Sequence, residues 1–205
     1  MDARIRAVLD EYHQRMEAER QTGRVEAPGG RDGGHDMRMR AVGPQTGQLI
    51  NILAKSLSKP VILEIGTSFG YSGVWLAEAA RATGGRLITM ELHAYKSDFA
   101  RDMLDKAGLS EHVEFLVDDA EQLIGAMAGK ADFVLLDLWK DLYVPCLKAF
   151  LPKLAAGAIV VADNMIRPGD GDVLAYQRAV RAIPGMTSVM LPVGQGLEIS
   201  RYQPA

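Results

Sequence analysis

Apolar positions along the 205-residue chain follow two different rhythms. In residues 2–20, Ile5, Val8, Leu9, Tyr12 and Met16 recur at helical spacing and predict one amphipathic helix. The stretch QTGRVEAPGGRDGGHDMRMRAVG then mixes glycines with charges and loses all periodicity, as a long loop does. Helical spacing returns from Gln45 to Ser58. From there short apolar runs at VILEIG (61–66), RLITME (86–91), VEFLV (113–117), ADFVLLD (131–137) and AIVVAD (158–163) alternate with helical patterns over 71–82, 94–107, 120–128 and 140–154. Runs apolar at consecutive positions predict strands buried on both faces, hence a parallel sheet with helices on both sides. The C-terminal TSVMLPVGQGLEISRY breaks the alternation and reads as two strands joined through Gly194-Gln195-Gly196, an antiparallel hairpin. The expected fold is α/β, a mostly parallel seven-stranded sheet ending in that hairpin. Residues 1–42 would supply a helix and a glycine-rich lid or linker, and 43–205 the main domain.

Composition narrows the classes without naming one. With 48% hydrophobic and 24% charged residues, the chain can bury a core needing neither disulfides nor a structural metal. Its single cysteine, Cys146, and the charged MDARIRAVLDEYHQRMEAER, which has no apolar leader segment, fit a cytoplasmic setting. No apolar run reaches the roughly 18 residues of a membrane span. A net charge of −3 argues against a nucleic-acid partner.

The strongest local signal is VILEIGTSFGYSGVWLAEAA. A buried strand ends in Glu64-Ile65-Gly66 and turns into a helix near Gly70, where glycines let backbone approach a ligand and helix amides face it. The glycines are spaced Gly66-x-x-x-Gly70 rather than G-x-G-x-x-G, which favours a ligand without a pyrophosphate over a dinucleotide. A plain tight turn is the competing reading. Twenty-five residues past Gly66, Glu91 ends the second strand and could accept both ribose hydroxyls of an adenosine, with Leu92 following it. After the third strand, the carboxylates of Asp118-Asp119-Ala120-Glu121 could hold an adenine amino group or cap the next helix.

Asp137 ends the fourth strand and Asp163-Asn164 the fifth. In open α/β sheets ligands sit beyond these strand ends, so the three oxygen donors should share an edge with Gly66 and Glu91. Two carboxylates and an amide suit Mg²⁺, with Mn²⁺ or Ca²⁺ as alternatives. Zinc is disfavoured, because no histidine or cysteine pair has its ligand spacing. Capping is the ordinary use of a single strand-terminal Asp. Lys140, three residues past Asp137, would have its ammonium form disfavoured beside a cation and could act as a base, or could simply pair with a carboxylate.

With these residues in hand, the chain resembles the metal-dependent O-methyltransferases of the catechol and caffeoyl-CoA type over roughly Val42 to Pro168, through LEIGTSFGYS and FVLLDLWKDLYVP…ADNMIRPG. The resemblance implies a Rossmann-like class I methyltransferase fold, S-adenosylmethionine as cofactor, and Mg²⁺ on Asp137, Asp163 and Asn164. It also implies Lys140 as general base, Glu91 on the ribose, and Gly66, Tyr71, Ser72 and Val42 at the methionine end. Trp139 would lie near the adenine. Glu64, Leu92, Asp119, Ala120 and Asp137 complete the expected cofactor surface. Pro168 would wall the acceptor slot together with Trp139, Lys140 and Asn164. The reaction implied is in-line methyl transfer to one hydroxyl of a catechol-like small molecule.

Two departures from the family stand out. Near Val189 and Met190 no carboxylate is available for the second hydroxyl, and Arg38 and Arg40 stand where apolar gatekeepers precede Val42. With Arg167 these arginines could grip an anionic substituent, as in a phenolic acid, or could be solvated loop charges. Other readings are a methyltransferase acting on a modified uridine of tRNA, a non-catalytic S-adenosylmethionine-binding protein, and, less favoured by the glycine spacing, a nucleotide-dependent dehydrogenase. The N-terminal helix and loop could close over the site or contact a second subunit in a homodimer.

Overall fold

Neighbouring residues of each buried strand part to opposite faces of the sheet, and that alternation builds two cores from one set of apolar runs. The computed structural model describes residues 1–22, 36–166, 169 and 171–204. The strands are β1 (Val61–Ile65), β2 (Arg86–Glu91), β3 (Val113–Val117), β4 (Ala131–Leu136), β5 (Leu154–Ala162), β6 (Met186–Leu191) and β7 (Leu197–Tyr202). They form one seven-stranded sheet in the order β3-β2-β1-β4-β5-β7-β6. Pairings from β3 across to β5 are parallel, and β7 lies antiparallel between β5 and β6.

The helices are α1 (Ala3–Thr22), α2 (Pro44–Lys55), α3 (Tyr71–Thr83), α4 (Ala94–Lys106), α5 (Ala120–Ala126), α6 (Tyr143–Phe150) and α7 (Gly171–Arg181). On one face Ile62, Leu87, Phe133 and Ile159 pack with the apolar stripes of α1 to α4. On the other, Leu63, Ile88, Val134 and Val160 pack with α5, α6 and α7. The predicted stripe of α1 is the buried one: Ile5, Val8, Leu9 and Tyr12 enter the same core as α3. Among the described residues no helix is long and apolar enough to cross a membrane.

The structure departs from the pattern reading at α6, β5 and α7. The helix expected over 140–154 is divided: Lys140–Leu142 is a 3₁₀ turn, α6 ends at Phe150, and Leu151–Lys153 is a second 3₁₀ turn. Pro152 has no amide hydrogen to extend α6. The freed chain lets β5 begin at Leu154, which pairs with Ala131 across a register shift. Helix α7 was not anticipated, because its buried stripe of Val173, Tyr176 and Val180 is narrow and set among charges.

The chain order reverses between β1 and β4, the position where open sheets leave a crevice. Gly66 follows β1 with φ +104, and a Cβ there would lie 2.1 Å from the Asp137 carbonyl oxygen, so any side chain would force the two strand ends apart. Gly70, at φ +87, caps α3 and passes within reach of Ala100 and the Tyr12 hydroxyl. Tyr12 donates to the Phe69 carbonyl at 2.5 Å, so α1 braces this turn from behind.

Tyr12→Phe should leave that buried carbonyl unpaired and lower stability by about 1–3 kcal/mol. Denaturant unfolding measures this, and an unchanged midpoint would remove the bracing role.

Candidate active site

The turn after β1 is fixed by its backbone before any ligand enters. The amides of Gly66 and Thr67 both donate to the Met90 carbonyl at 3.0 Å, and Gly70 donates to Thr67 at 2.9 Å. Ser68 sits at φ 46, a left-handed conformation uncommon for a non-glycine residue. Its amide donates to Glu91 Oε2 at 2.8 Å, and the His93 amide donates to Oε1 at 3.1 Å. Glu91 is thus aimed and half-buried, with one lone pair on each oxygen engaged and another left for a ligand hydroxyl. Leu92, Val117 and Trp139 are all 40% or more exposed just beyond or at the tips of β2, β3 and β4, an apolar rim suited to a flat ring. Asp119 accepts from the Gln122 amide at 3.1 Å and so caps α5, whose first residue is Ala120.

Beneath the turn, Glu64 is fully buried. Thr89 donates to its Oε2 at 2.5 Å and receives the Thr67 hydroxyl in turn. Oε1 has no partner. Burial pushes the Glu64 carboxyl up to about 7, against hydrogen bonds from Ser72 and Thr89. Ser72 is buried at the start of α3, and the Tyr71 hydroxyl beside it lies 2.9 Å from His13 Nε2. Val42 is buried just before α2.

At the other side of the crevice two of the predicted oxygen donors, Asp137 and Asp163, lie at neighbouring strand ends, with Asn164 next in the chain. The Asp137 amide donates to Ile65 at 2.9 Å and the Asp163 amide to Leu136 at 3.1 Å, so both residues sit at neighbouring strand ends. Asp163 is fully buried. Its Oδ1 accepts the Asn164 amide at 2.7 Å, and its Oδ2 has no partner among the described residues. Asn164 adopts φ 58, as asparagine does at tight turns. Burial raises the Asp137 carboxyl, opposed by Lys140 and Arg40, and burial together with the Asp137 charge raises Asp163. Among the described residues no group of three His, Cys, Asp or Glu could hold an ion. The set here is two carboxylates and an amide. An orphaned buried carboxylate oxygen beside a second carboxylate fits a hard divalent cation, which would satisfy both.

Lys140 Nζ lies 3.5 Å from Asp137 Oδ1, donates to Leu138 at 3.0 Å and reaches the Tyr143 hydroxyl at 2.5 Å. Tyr143 was not singled out from the sequence, although it stands three residues past Lys140. Its buried hydroxyl bonds the carbonyls of Leu136 at 3.1 Å and Asp163 at 2.9 Å, tying the tips of β4 and β5 beneath Lys140.

Arg38 and Arg40 both pair with Asp36, a buried acid that the sequence reading passed over. An acid at i with arginines at i+2 and i+4 was the available clue. The Arg40 guanidinium also lies 5.2 Å from the Trp139 ring centre. Arg167 and Pro168 lie outside the described residues.

Glu64 gives the site a pH-dependent stability. Its folded pKa is raised from 4.5 to about 7, so its contribution is complete below pH 4.5 and is lost as pH rises through 7. Between mildly acidic and mildly alkaline buffer the apoprotein should lose about 2–3 kcal/mol on this account. Glu64→Gln should fall less by that amount in paired denaturant titrations. Parallel curves for the two proteins would refute it.

Comparison with known proteins agrees with this geometry. A methyltransferase-domain model matches residues 63–165, which run from β1 past Asn164. Catechol O-methyltransferase of Mus musculus is 36% identical over 144 residues, 67% of this chain and 54% of that protein, so the chain spans about half of it. Catechol O-methyltransferase of Mycobacterium tuberculosis is 32% identical over 162 residues, 74% of this chain and 73% of that protein. The crystal structure of cofactor-bound Rv0187 from MTB superposes with a TM-score of 0.76 at 26% identity, covering 100% of this chain and 92% of that one. A domain match across half the sequence, a relative covered over nearly three quarters of both chains and a superposition along the whole chain agree: the chain belongs to the class I S-adenosylmethionine-dependent O-methyltransferases.

Proposed function

We propose that this protein moves the methyl group of S-adenosylmethionine to one hydroxyl of a catechol-like small molecule, with a divalent cation, Mg²⁺ foremost, at Asp137, Asp163 and Asn164. The observation that carries the reading is the buried, unpartnered Asp163 Oδ2 beside Asp137 and Lys140, across the crevice from the glycine turn. The sulfonium supplies an electrophilic methyl, and a cation on those three residues would supply a Lewis acid that makes the acceptor hydroxyl more acidic.

The protein's own residues do the remainder. Glu91, held by two backbone amides, accepts the ribose hydroxyls, and Leu92, Val117 and Trp139 flank the adenine beside Asp119 and Ala120. Gly66 lets the cofactor turn close against the Asp137 backbone, and Val42, Glu64, Tyr71 and Ser72 form the buried ground at the cofactor's methionine end. Lys140 takes the proton of the attacking hydroxyl as the oxygen–methyl bond forms and the sulfur–methyl bond breaks, leaving S-adenosylhomocysteine. Tyr143 and the Leu138 carbonyl hold that amine in place. Positioning supplies most of the rate, since the two reactants are brought together at a rigid sheet edge.

Methyl transfer to catechol, followed by mass spectrometry with Mg²⁺ and with EDTA, tests this. Activity should require the cation, and Asp163→Asn should lower kcat/KM by about 100-fold or more while weakening Mg²⁺ binding in calorimetry. Lys140→Met should lower kcat by roughly 100-fold or more with a smaller change in KM. Full activity in EDTA would remove the cation from the reading. Failure to methylate any catechol would remove the acceptor class.

A further inference from the structure

Asp36 carries more positive charge than it needs. It is 2% exposed, and Arg38 grips it with both faces of a fork, Nε to Oδ1 at 2.9 Å and Nη2 to Oδ2 at 3.0 Å. That one guanidinium already neutralises the acid. Arg40 adds a second, with Nε 2.7 Å and Nη2 2.6 Å from Oδ2. Burial works against the Asp36 charge, and the two arginines overcome it, holding the carboxyl far below the usual carboxylate range. Asp36 is therefore a fixed anion, and two guanidiniums on one carboxylate leave a net charge of one at this rim.

The surplus lies toward the site. Arg40 is 40% exposed, stands over the Trp139 ring and acts electrostatically on Asp137. Its backbone is left-handed, at φ 44, a conformation that persists only where surrounding contacts impose it. Those contacts are present. Tyr95 bonds both the amide and the carbonyl of Asp36, at 3.0 and 3.3 Å. Arg15 donates to Met37 at 2.9 Å, Glu19 accepts the Met39 amide at 3.1 Å, and Ser68 of the cofactor turn donates to the Met39 carbonyl at 3.2 Å. The nearby acid Glu19 has its own cation in Arg15, 3.7 Å away. Each arginine spends Nε and Nη2 on Asp36, and among the described residues its Nη1 meets no acceptor.

We propose that Arg40, supported by Arg38 and positioned by Asp36, binds a carboxylate carried by the acceptor ring, so that the preferred acceptors are catechols bearing an acidic group. This rests on the methyl-transfer reading above and deepens it by naming the acceptor class. Planar guanidinium recognises a carboxylate directionally, and the Trp139 face beside it suits the ring that carries the carboxylate. Arg40 is thus the specificity-determining residue, and Asp36 acts through it.

The test compares protocatechuate with its methyl ester, which keeps the catechol and removes the charge. Rates are measured with S-adenosylmethionine and Mg²⁺, and binding of both compounds by calorimetry with S-adenosylhomocysteine and Mg²⁺. The wild type should favour the acid by about tenfold or more in kcat/KM, through KM, and the preference should shrink as ionic strength rises. Arg40→Met should bring the acid-to-ester ratio near one, and Arg40→Lys should retain part of it. S-adenosylhomocysteine binding reports whether each variant is folded, and the salt dependence of the wild type stands without any variant. Equal use of acid and ester by the wild type overturns the carboxylate site and leaves methyl transfer intact. A preference that survives Arg40→Met, or that is indifferent to salt, overturns it as well. If neither compound binds or reacts, both the site and the catechol reading fall.

Discussion

The close approach of two strand ends, at Gly66 after β1 and Asp137 after β4, is the constraint on which the site depends. A Cβ on residue 66 would meet the Asp137 carbonyl at 2.1 Å, so the absence of a side chain sets how near the cofactor turn and the carboxylate edge can come. Backbone bonds keep that spacing: Asp137 donates to Ile65, and Gly66 and Thr67 donate to Met90. Distances across the crevice are therefore set by the sheet, not by flexible loops, and a reaction that relies on positioning benefits from that rigidity.

A second theme is negative charge concentrated where it is costly. Glu64, Asp137 and Asp163 lie at or near one sheet edge, each with its carboxyl raised by burial, and the Asp137 charge raises the other two further. Two of these residues each keep a buried oxygen without a partner. A fold selected for stability alone would replace such groups, since unpaired buried carboxylates disfavour the folded state. Lys140 offsets part of that charge, anchored by the Tyr143 hydroxyl that also binds the two strand tips. Stability and function oppose one another at this edge, as they commonly do at active sites.

The opposite rim is built by long-range bonds from α1. Tyr12, Arg15 and Glu19 each hold a different point of the turn or of the segment 36–40. The helix stripe is buried in the same core as α3, so this scaffold belongs to the main fold energetically. The turn after β1 and the segment 36–40 are thereby set against one common support.

Much of this was legible in the sequence. Period and run length gave five buried strands, the terminal hairpin and most helices, because burial on two faces leaves a continuous apolar record. That Asp137 and Asp163 share one edge was readable too, since residues just past parallel strands converge there whatever their separation in the chain. Tertiary structure alone decided who partners whom. It turned Arg38 and Arg40 inward onto Asp36, placed Tyr143 beneath Lys140, gave Asp119 to the α5 cap, and linked Thr67 and Thr89 to Glu64. A sequence records the type of each polar group but not its direction. Hydrogen bonds and ion pairs are directional and short-ranged, so they exist only once the packed core has fixed where each side chain points.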